Sequence, residues 1–489
     1  MSLHILDRIL KFIPNIKKPD APLTFKQKMK WTALIMCVYF LLFSIPAVGS
    51  NVSELQTSSF YQILNTVFAA RTGTLVTVGI SPIVLSSIVL QLVMGTGLLK
   101  VDLNDPEQKG RFQSMQKLFA ILIAVVEGIL FTKEIPLIGI GFFWLVALQL
   151  TLGAIFVIFL DEAMVKYGIT SGINLFIAGG IAYAIIASTA TVLVPGALSE
   201  LATGGASALP DAVLAIAPLF MSILVMLVCI YIYNIKVELP LVFSQFRGIG
   251  GRLPIPLLYI SVLPVILATS LILSLSAWGG AVLPTLGSGG ACSPQYACFL
   301  GTYQNTNGQH ILQGGLLYLL SPTFVNVGLP YPSSEGGVGY STYFNELITQ
   351  TTTLYLPWGG TVIVPEWVHI ITYTLFLVIL CVIFGKFWVE MTGQSPKAMA
   401  AQLQDVGWQI PGFRRDPRVV ESVLNKYIPT ITTLGSIIVA LLAAFANLTG
   451  AVGTGMGILL TVGIIYMVYQ QLEQQRALEN IPLADKLLS

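Results

Sequence analysis

The sequence predicts an all-α integral membrane protein with ten transmembrane helices. Three observations carry that expectation. Only 10% of the 489 residues are charged, 55% fall in the hydrophobic set, and the mean hydropathy is +0.81. A soluble domain carries about 25% charged residues, so this chain cannot solvate a globular surface. Apolar runs of roughly 20 residues, the length that crosses a hydrocarbon core as a helix, recur along the chain. Finally, Lys and Arg are confined to alternate segments between those runs. The formal net charge of +2 offers no basic patch for a polyanion, which sets nucleic-acid binding aside.

Taken in order, the chain opens with LHILDRILKFI at 3–13, apolar at helical spacing with charges between, and then breaks at PNIKKPDAP. No small-residue cleavage site precedes the first long apolar run. Residues 1–30 therefore read as an interfacial amphipathic helix and linker rather than a removable leader. Apolar runs follow near 31–48, 74–97, 115–134, 141–162, 169–194, 212–235, 257–279, 366–390, 429–449 and 454–472. The second is interrupted by Gly79-Ile80-Ser81-Pro82. Proline removes a backbone donor and crowds the preceding turn, which a membrane helix tolerates where neighbours or a cavity satisfy the freed groups. GAVGTGMG at 450–457 matches a phosphate loop only in glycine count, and small residues there suit close helix packing.

With the N-terminus inside, every Lys and Arg except Arg71 and Lys133 falls in 1–30, 98–117, 161–168, 236–256, 386–427 or 470–489. That is the cytoplasmic enrichment expected of a plasma-membrane protein, and it puts both termini in the cytoplasm. An even number of spans is required, and ten satisfies it. The stretch 280–365 is then external, without Lys or Arg and rich in Gly, Ser, Thr, Asn and Pro. It reads as a partly ordered loop domain, with GLLYLLSPTFVNVGL as a surface-lying or re-entrant segment. Cys37, Cys229 and Cys381 lie inside spans as buried small hydrophobes. Cys292 and Cys298 share the external loop in CSPQYAC, where an oxidising compartment permits the disulfide we expect.

Chemistry is scarce. Glu127 is the one acid deep within a predicted span, and a hydrogen bond to a neighbouring helix suits it better than a proton relay, which needs partners. Asp161, Glu162 and Glu390 lie at cytoplasmic span ends as solvated groups, and His369 enters a span alone. HExxH, GxSxG and Walker A patterns are missing, as is any set of acids at metal-ligand spacing. Neither catalysis nor a cofactor or metal is supported. Aliphatic pairs do recur beside helix breaks. Ile80 and Val84 flank Pro82 and share a helix face, as do Ile173 and Ile177; alone, such pairs are ordinary core or lipid-facing residues.

Those stretches carry a resemblance. GTLVTVGISPIV, DEAMVKYGITSGINLFI, LPVILATS, FWVEMTGQSPKAMAAQL, GFRRD and ANLTGAVGTGMGILLTVGIIY resemble the SecY family in its archaeal form, the protein-conducting channel subunit. The resemblance covers nearly everything except the long external loop. It implies two pseudo-symmetric five-helix halves, residues 31–195 and 196–489, around a central hourglass pore. The pore constriction would fall on Ile80, Val84, Ile173, Ile177, Ile266 and Leu460, an apolar ring that dewets and so blocks ions. A plug would lie near 58–70, with Phe60, Ile63, Leu64 and Val67. A lateral gate would pass transmembrane segments into lipid between spans two and three and spans seven and eight. Arg71, Glu127, Ser274 and Ser276 match polar positions near that seam. Cytoplasmic loops 236–256, with Arg247 and Arg252, and 391–428, with Arg414, would dock the ribosome, touching rRNA only there. The partners implied are SecE-like and Sec-beta-like small membrane subunits, the ribosome, nascent secretory and membrane polypeptides, and the bilayer.

Three departures qualify the resemblance. Loop 236–256 is thinly basic, serines stand in the seventh span where relatives often carry amides, and the large external loop has no counterpart. The rival reading is a ten-span secondary transporter of a small solute, which needs a polar midplane site that this chain hardly offers. An intramembrane hydrolase lacks its paired acids or nucleophile and base. A structural scaffold has no need of an aliphatic ring.

Overall fold

The computed structural model describes residues 16, 17, 19, 21, 23–51, 59–95, 106–133, 135–203, 208–243, 250–258, 263–283, 295–306, 309–322, 340–358, 360–405, 408, 409, 417–452 and 455–479. The amphipathic stretch expected at 3–13 lies outside them.

Helices dominate. They are α1 (Phe25–Ser44), α2 (Ser59–Val67), α3 (Ser81–Gly95), α4 (Pro106–Lys133), α5 (Phe143–Tyr167), α6 (Gly172–Ser188), α7 (Val194–Thr203) and α8 (Ala208–Asn234). The second set is α9 (Leu263–Val282), α10 (Gln295–Leu300), α11 (Leu316–Leu320), α12 (Tyr340–Thr349), α13 (Glu366–Met391), α14 (Pro396–Asp405), α15 (Pro417–Leu448) and α16 (Gly455–Glu479). Among the described residues seven helices are long and apolar enough to cross a membrane, and Ser81–Met94 and Gly457–Gln470 are shorter apolar helices. With α1, whose first turns carry lysines, these occupy the ten positions expected of spans.

The outward faces explain the composition. On α5, Trp144, Leu148, Leu152 and Phe156 are exposed at a spacing of four, and on α13 Trp367, Ile371, Leu375, Ile379 and Ile383 repeat the pattern. Such stripes suit lipid rather than water. Cys229 and Cys381 are buried as expected, whereas Cys37 is exposed on α1.

Three span boundaries differ from expectation. The second span begins its helix only at Ser81, because Gly79 is in the left-handed region and Pro82 supplies no donor. Residues 71–80 instead run as a tightly bonded, mostly buried stretch. Gly153 admits it: a Cβ there would lie 1.9 Å from the Leu75 carbonyl oxygen. The ninth span extends back to Pro417 with Pro429 inside the helix, and the third begins at Pro106. Both continue past the apolar run because polar helix residues extend into water.

Helix packing divides the chain. The span helices α1 and α3 to α5 pack chiefly on one another, as do α8, α9, α13, α15 and α16, while α6 packs on α16 as well as on α1 and α5. The two sets meet along two seams, α6 against α16 and α9 against α3 and α4. At the α15–α16 turn Gly455 is pressed on α15, where a Cβ would stand 1.9 Å from that of Ala446. Close packing is thus the use of that glycine cluster.

The molecule is not purely helical. β1 (Lys236–Phe243) and β2 (Gly250–Pro256) form an antiparallel hairpin, and β7 (Trp408–Gln409) adds to β1. Loops 236–256 and 391–428 therefore share one sheet, ordered β2-β1-β7. Within 280–365, β3 (Thr302–Thr306) pairs with β4 (Gln309–Gly314), and β5 (Thr351–Tyr355) with β6 (Thr361–Pro365). The segment expected to lie on the surface or re-enter is, over Leu316–Leu320, a short helix with Tyr318 and Leu319 buried. Its apolar side chains are consumed by a small core of Tyr303, Leu312, Tyr318 and Leu319.

Candidate pore and gate

The six aliphatic positions all lie at or near helix starts. Ile80 immediately precedes α3, and its carbonyl accepts the Val84 N–H at 3.2 Å. That first helical bond puts the two side chains one turn apart on one face. Ile173 and Ile177 occupy the opening turns of α6, where the Ile173 N–H donates to Asp161 Oδ1 on α5 at 2.9 Å. Asp161 is thus tied to the start of α6 rather than simply solvated. Ile266 lies in the first turn of α9 and Leu460 in the second turn of α16.

Relative exposure is 0% for Ile80, 4% for Val84, 0% for Ile177, 2% for Ile266 and 1% for Leu460. These five belong to the main buried apolar cluster, and Ile173 packs against it. Four helices from both sets thus place these residues in or against the main apolar core, and none of the six is polar. Such a constriction favours neither water nor a specific ligand.

α2 packs on α6, α9 and α16, three of the four helices that carry the six aliphatic positions. Leu64 and Val67 are members of the same cluster and Ile63 packs against it. Phe60 lies in α2, and its side chain is outside what the structure describes. The exit from α2 is pinned. The Ile80 N–H donates to the Phe68 carbonyl at 2.9 Å and the Ala70 N–H to the Asn65 carbonyl at 2.8 Å. Asn65 Oδ1 accepts from the Thr72 N–H at 3.1 Å and hydroxyl at 2.9 Å, and Tyr39 donates its hydroxyl to the Ala69 carbonyl. At Gly79, φ is +57° and a Cβ would lie 2.2 Å from the Phe68 carbonyl oxygen. Only glycine lets the end of α2 lie this close to the start of α3.

Glu127 is fully buried on α4, and Ser81 at the head of α3 donates its hydroxyl to Oε1 at 2.7 Å. The interhelical hydrogen bond expected of Glu127 is present, and its donor escaped sequence reading. The adjoining Pro82 and the helix break were the available signal, since a serine starting a helix is free to point sideways. Arg71 is not the partner of Glu127. It is exposed, with its guanidinium carbon 5.9 Å from the Phe43 and Tyr183 ring centroids. Ser274 and Ser276 are buried on α9, where Ser276 donates to its own helix at Ile272 and Ser274 Oγ has no partner.

Across the α9 seam the polar groups are incompletely paired. Glu127 Oε2, the Trp278 indole nitrogen, Ser270 Oγ, Ser274 Oγ and both side-chain amide atoms of Gln91 are buried without hydrogen-bond partners. Glu127 and the Trp278 indole are near enough to interact. A buried polar group left unpaired costs about 1–3 kcal/mol, so this seam is held by much less than its polar content would allow.

Elsewhere the expected site residues are scattered. Arg252 is on β2 opposite Pro240, while Arg247 and Arg414 lie outside the described residues. Cys298 is disulfide-bonded, and Cys292 lies outside the described residues. His369 is not alone: its Nδ1 faces Glu366 Oε1 at 2.8 Å, both side chains fully buried. Glu162 is ion-paired with Lys117 at 2.5 Å and with Lys166 at 2.6 Å, rather than simply solvated.

This arrangement has counterparts among known proteins. A sequence model of the family SecY matches residues 74–469. The chain is 34% identical over 494 residues to the protein translocase subunit SecY of Methanocaldococcus jannaschii, covering 98% of both chains. It is 36% identical over 490 residues to that of Methanococcus vannielii, again covering 98% of both. A solved protein-conducting channel superimposes with a TM-score of 0.76 at 32% identity, over 99% of each chain. Sec61 in a canine ribosome-channel complex from the endoplasmic reticulum gives a TM-score of 0.73 at 32% identity, over 99% of each.

Proposed function

The chain belongs to the SecY family, and from that premise we propose that its buried aliphatic ring is the constriction through which an unfolded polypeptide passes. The protein is a multi-pass membrane protein, the channel subunit of a protein translocase, and not an enzyme. The small-solute transporter is thereby set aside.

The observation that carries the ring assignment is that Ile80, Val84, Ile177, Ile266 and Leu460, from the starts of four helices, are buried in the main apolar core, with Ile173 packed against it. Aliphatic side chains hold no translocating sequence in particular. They close softly around an extended chain and disfavour water when none is present. In this reading α2 is the plug, seated on the closed ring, and its pinned exit at Phe68 and Ile80 is the tether from which it swings.

The seam of α9 against α3 and α4, with its unpaired polar groups, supports its use as the lateral gate. An interface with unsatisfied buried groups is poorly bonded when shut, so parting it forfeits little. Release of a segment into lipid then follows its hydrophobic surface, at roughly 25 cal/mol per Å² of apolar area removed from water.

The sheet β2-β1-β7 joins the two cytoplasmic loops into one platform, which suits ribosome docking through Arg247, Arg252 and Arg414. Arginine's fixed fork matches rRNA phosphates, and the canine relative is found in a ribosome-channel complex. The same reading gives the chain SecE-like and Sec-beta-like partners, a plasma-membrane location with both termini cytoplasmic, and a Cys292–Cys298 bridge in the external loop.

The test is site-specific crosslinking. Single cysteines placed at 80, 84, 173, 177, 266 and 460, in a chain freed of Cys37, Cys229 and Cys381, are expected to capture a stalled secretory precursor. Failure of all six to touch it would refute the ring.

A further inference from the structure

The external domain between the seventh and eighth spans has no part in the ring, plug or seam, yet it contains a buried, hydrogen-bonded polar network. At its centre Glu366, the first residue of α13, is fully buried. Its Oε1 accepts from the Tyr318 hydroxyl at 2.7 Å and its Oε2 from the Thr352 hydroxyl at 2.8 Å. His369, one turn later, faces Glu366 Oε1 through Nδ1 at 2.8 Å and the Ser321 carbonyl through Nε2 at 3.0 Å. A carbonyl only accepts, so Nε2 carries a proton. Thr372, in the next turn, donates to the Leu319 carbonyl at 2.9 Å. Three successive groups at the outer end of α13 thus hold α11, its following turn and β5.

The same domain holds the other neighbour. Tyr303 on β3 is 1% exposed and donates its hydroxyl to the Ser276 carbonyl of α9 at 2.7 Å. Gly279 provides the room, since a Cβ there would stand 2.2 Å from the Tyr303 oxygen. α11 and β4 also pack on α9, and α11 packs on α13. Tyr303 and Tyr318 lie in one small apolar core with Leu312 and Leu319, so the attachments to the two helices are joined by packed side chains. A disulfide at Cys298 constrains the helix that leads into β3.

We infer that this external domain is a clamp that fixes the outer ends of α9 and α13 to each other, with Tyr303, Glu366, His369 and Thr372 as its positioning residues. Its consequence rests on the lateral-gate reading above. The α9–α13 pair moves as one leaf, and opening is confined to the seam that α9 shares with α3 and α4. The contrast between the two sides of α9 supports this. On the clamp side Tyr303, Glu366, His369 and Thr372 are hydrogen-bonded, whereas Gln91 on α3, Glu127 on α4 and Ser270 and Ser274 on α9 each keep a buried atom without a partner. Two packed bodies separate where their contacts are least well made.

The clamp predicts two distances. Val282 at the end of α9, Ile371 on α13 and Lys133 at the end of α4 are exposed and suited to spin labels. Labels at 282 and 371 report the clamp; labels at 282 and 133 report the gate. In the full chain reconstituted in lipid bilayers, with Cys37, Cys229 and Cys381 replaced by alanine, a stalled precursor is expected to widen 133–282 by several ångströms and leave 282–371 unchanged. Tyr303→Phe, which removes one hydroxyl, is expected to broaden the resting 282–371 distribution and to let segments of lower hydrophobicity enter lipid. Thr372→Val is expected to do the same more weakly and serves if Tyr303→Phe fails to fold. A 282–371 distance that changes as much as 133–282, or one that stays as narrow in both variants as in the wild type, overturns the clamp. An unchanged 133–282 sinks the gate reading instead and leaves the resting 282–371 comparison to decide the clamp. A merely structural role would lower thermal stability in Tyr303→Phe without moving the hydrophobicity threshold, and that outcome also counts against positioning.

Discussion

Gly79→Ala is expected to unseat the plug. Gly79 has φ of +57°, and the added methyl would stand 2.2 Å from the Phe68 carbonyl oxygen and 3.0 Å from the Ala70 Cβ. Left-handed backbone costs an L-residue about 1–2 kcal/mol. Relieving the clash draws the Phe68 carbonyl away from the Ile80 N–H, and stranding a buried polar group costs about 1–3 kcal/mol. Both penalties belong to the seated arrangement of α2 against the start of α3. Once α2 leaves, the 71–80 stretch relaxes and much of the strain is released. Recovery of only 1.4 kcal/mol, a part of the total, shifts the balance by about tenfold toward the unseated form. Ion conductance of channels without substrate, measured in planar bilayers, should therefore rise on the order of tenfold by the same relation. Gly110→Ala is the control, because nothing lies within 4 Å of its added Cβ. A correctly folded Gly79→Ala channel that leaks no more than wild type would refute the coupling of this turn to the plug.

Deleting 58–68 removes α2 outright and should raise resting conductance further than Gly79→Ala; equal conductance before and after deletion would remove the plug assignment. Ser81→Ala takes away the hydrogen bond from α3 to Glu127 Oε1 on α4, a bond within one side of the seam, and should lower the stability of the folded channel by about 1–3 kcal/mol. Thermal unfolding in detergent checks it, and an unchanged midpoint would show that the bond contributes nothing. Arg414→Glu should weaken ribosome binding to the membrane-embedded channel, with the deficit shrinking as added salt screens exposed charge; wild-type affinity at low salt opposes the docking role.

How far the sequence went is clearest in the second span. The break at Gly79-Ile80-Ser81-Pro82 was visible in residue types, and the helix begins at Ser81. That Gly79 lies against the Phe68 carbonyl was not visible, because the contact requires the chain to turn back after α2. His369 looked isolated, although Glu366 one turn earlier was an available signal, since side chains three apart on a helix are neighbours. The Ser321 carbonyl on its other nitrogen and the Tyr318 hydroxyl on Glu366 each lie 48 positions away from the atom they bond and had no local signature. The cytoplasmic loops are joined through Val242 and Gln409, a pairing that a two-residue strand could not announce.

By itself the sequence determined which stretches of chain would form helices long and apolar enough to cross a membrane. Hydropathy and cationic bias are sums over neighbouring residues, so a window of one span is enough to read them. Which of those greasy helices would adhere firmly and which loosely was decided only in three dimensions. It depends on whether a hydroxyl on one element reaches a carboxylate or carbonyl on another, as Tyr303 reaches Ser276 and Ser81 reaches Glu127. Directional bonds act over about 3 Å, and a linear chain does not encode separations on that scale until it has folded.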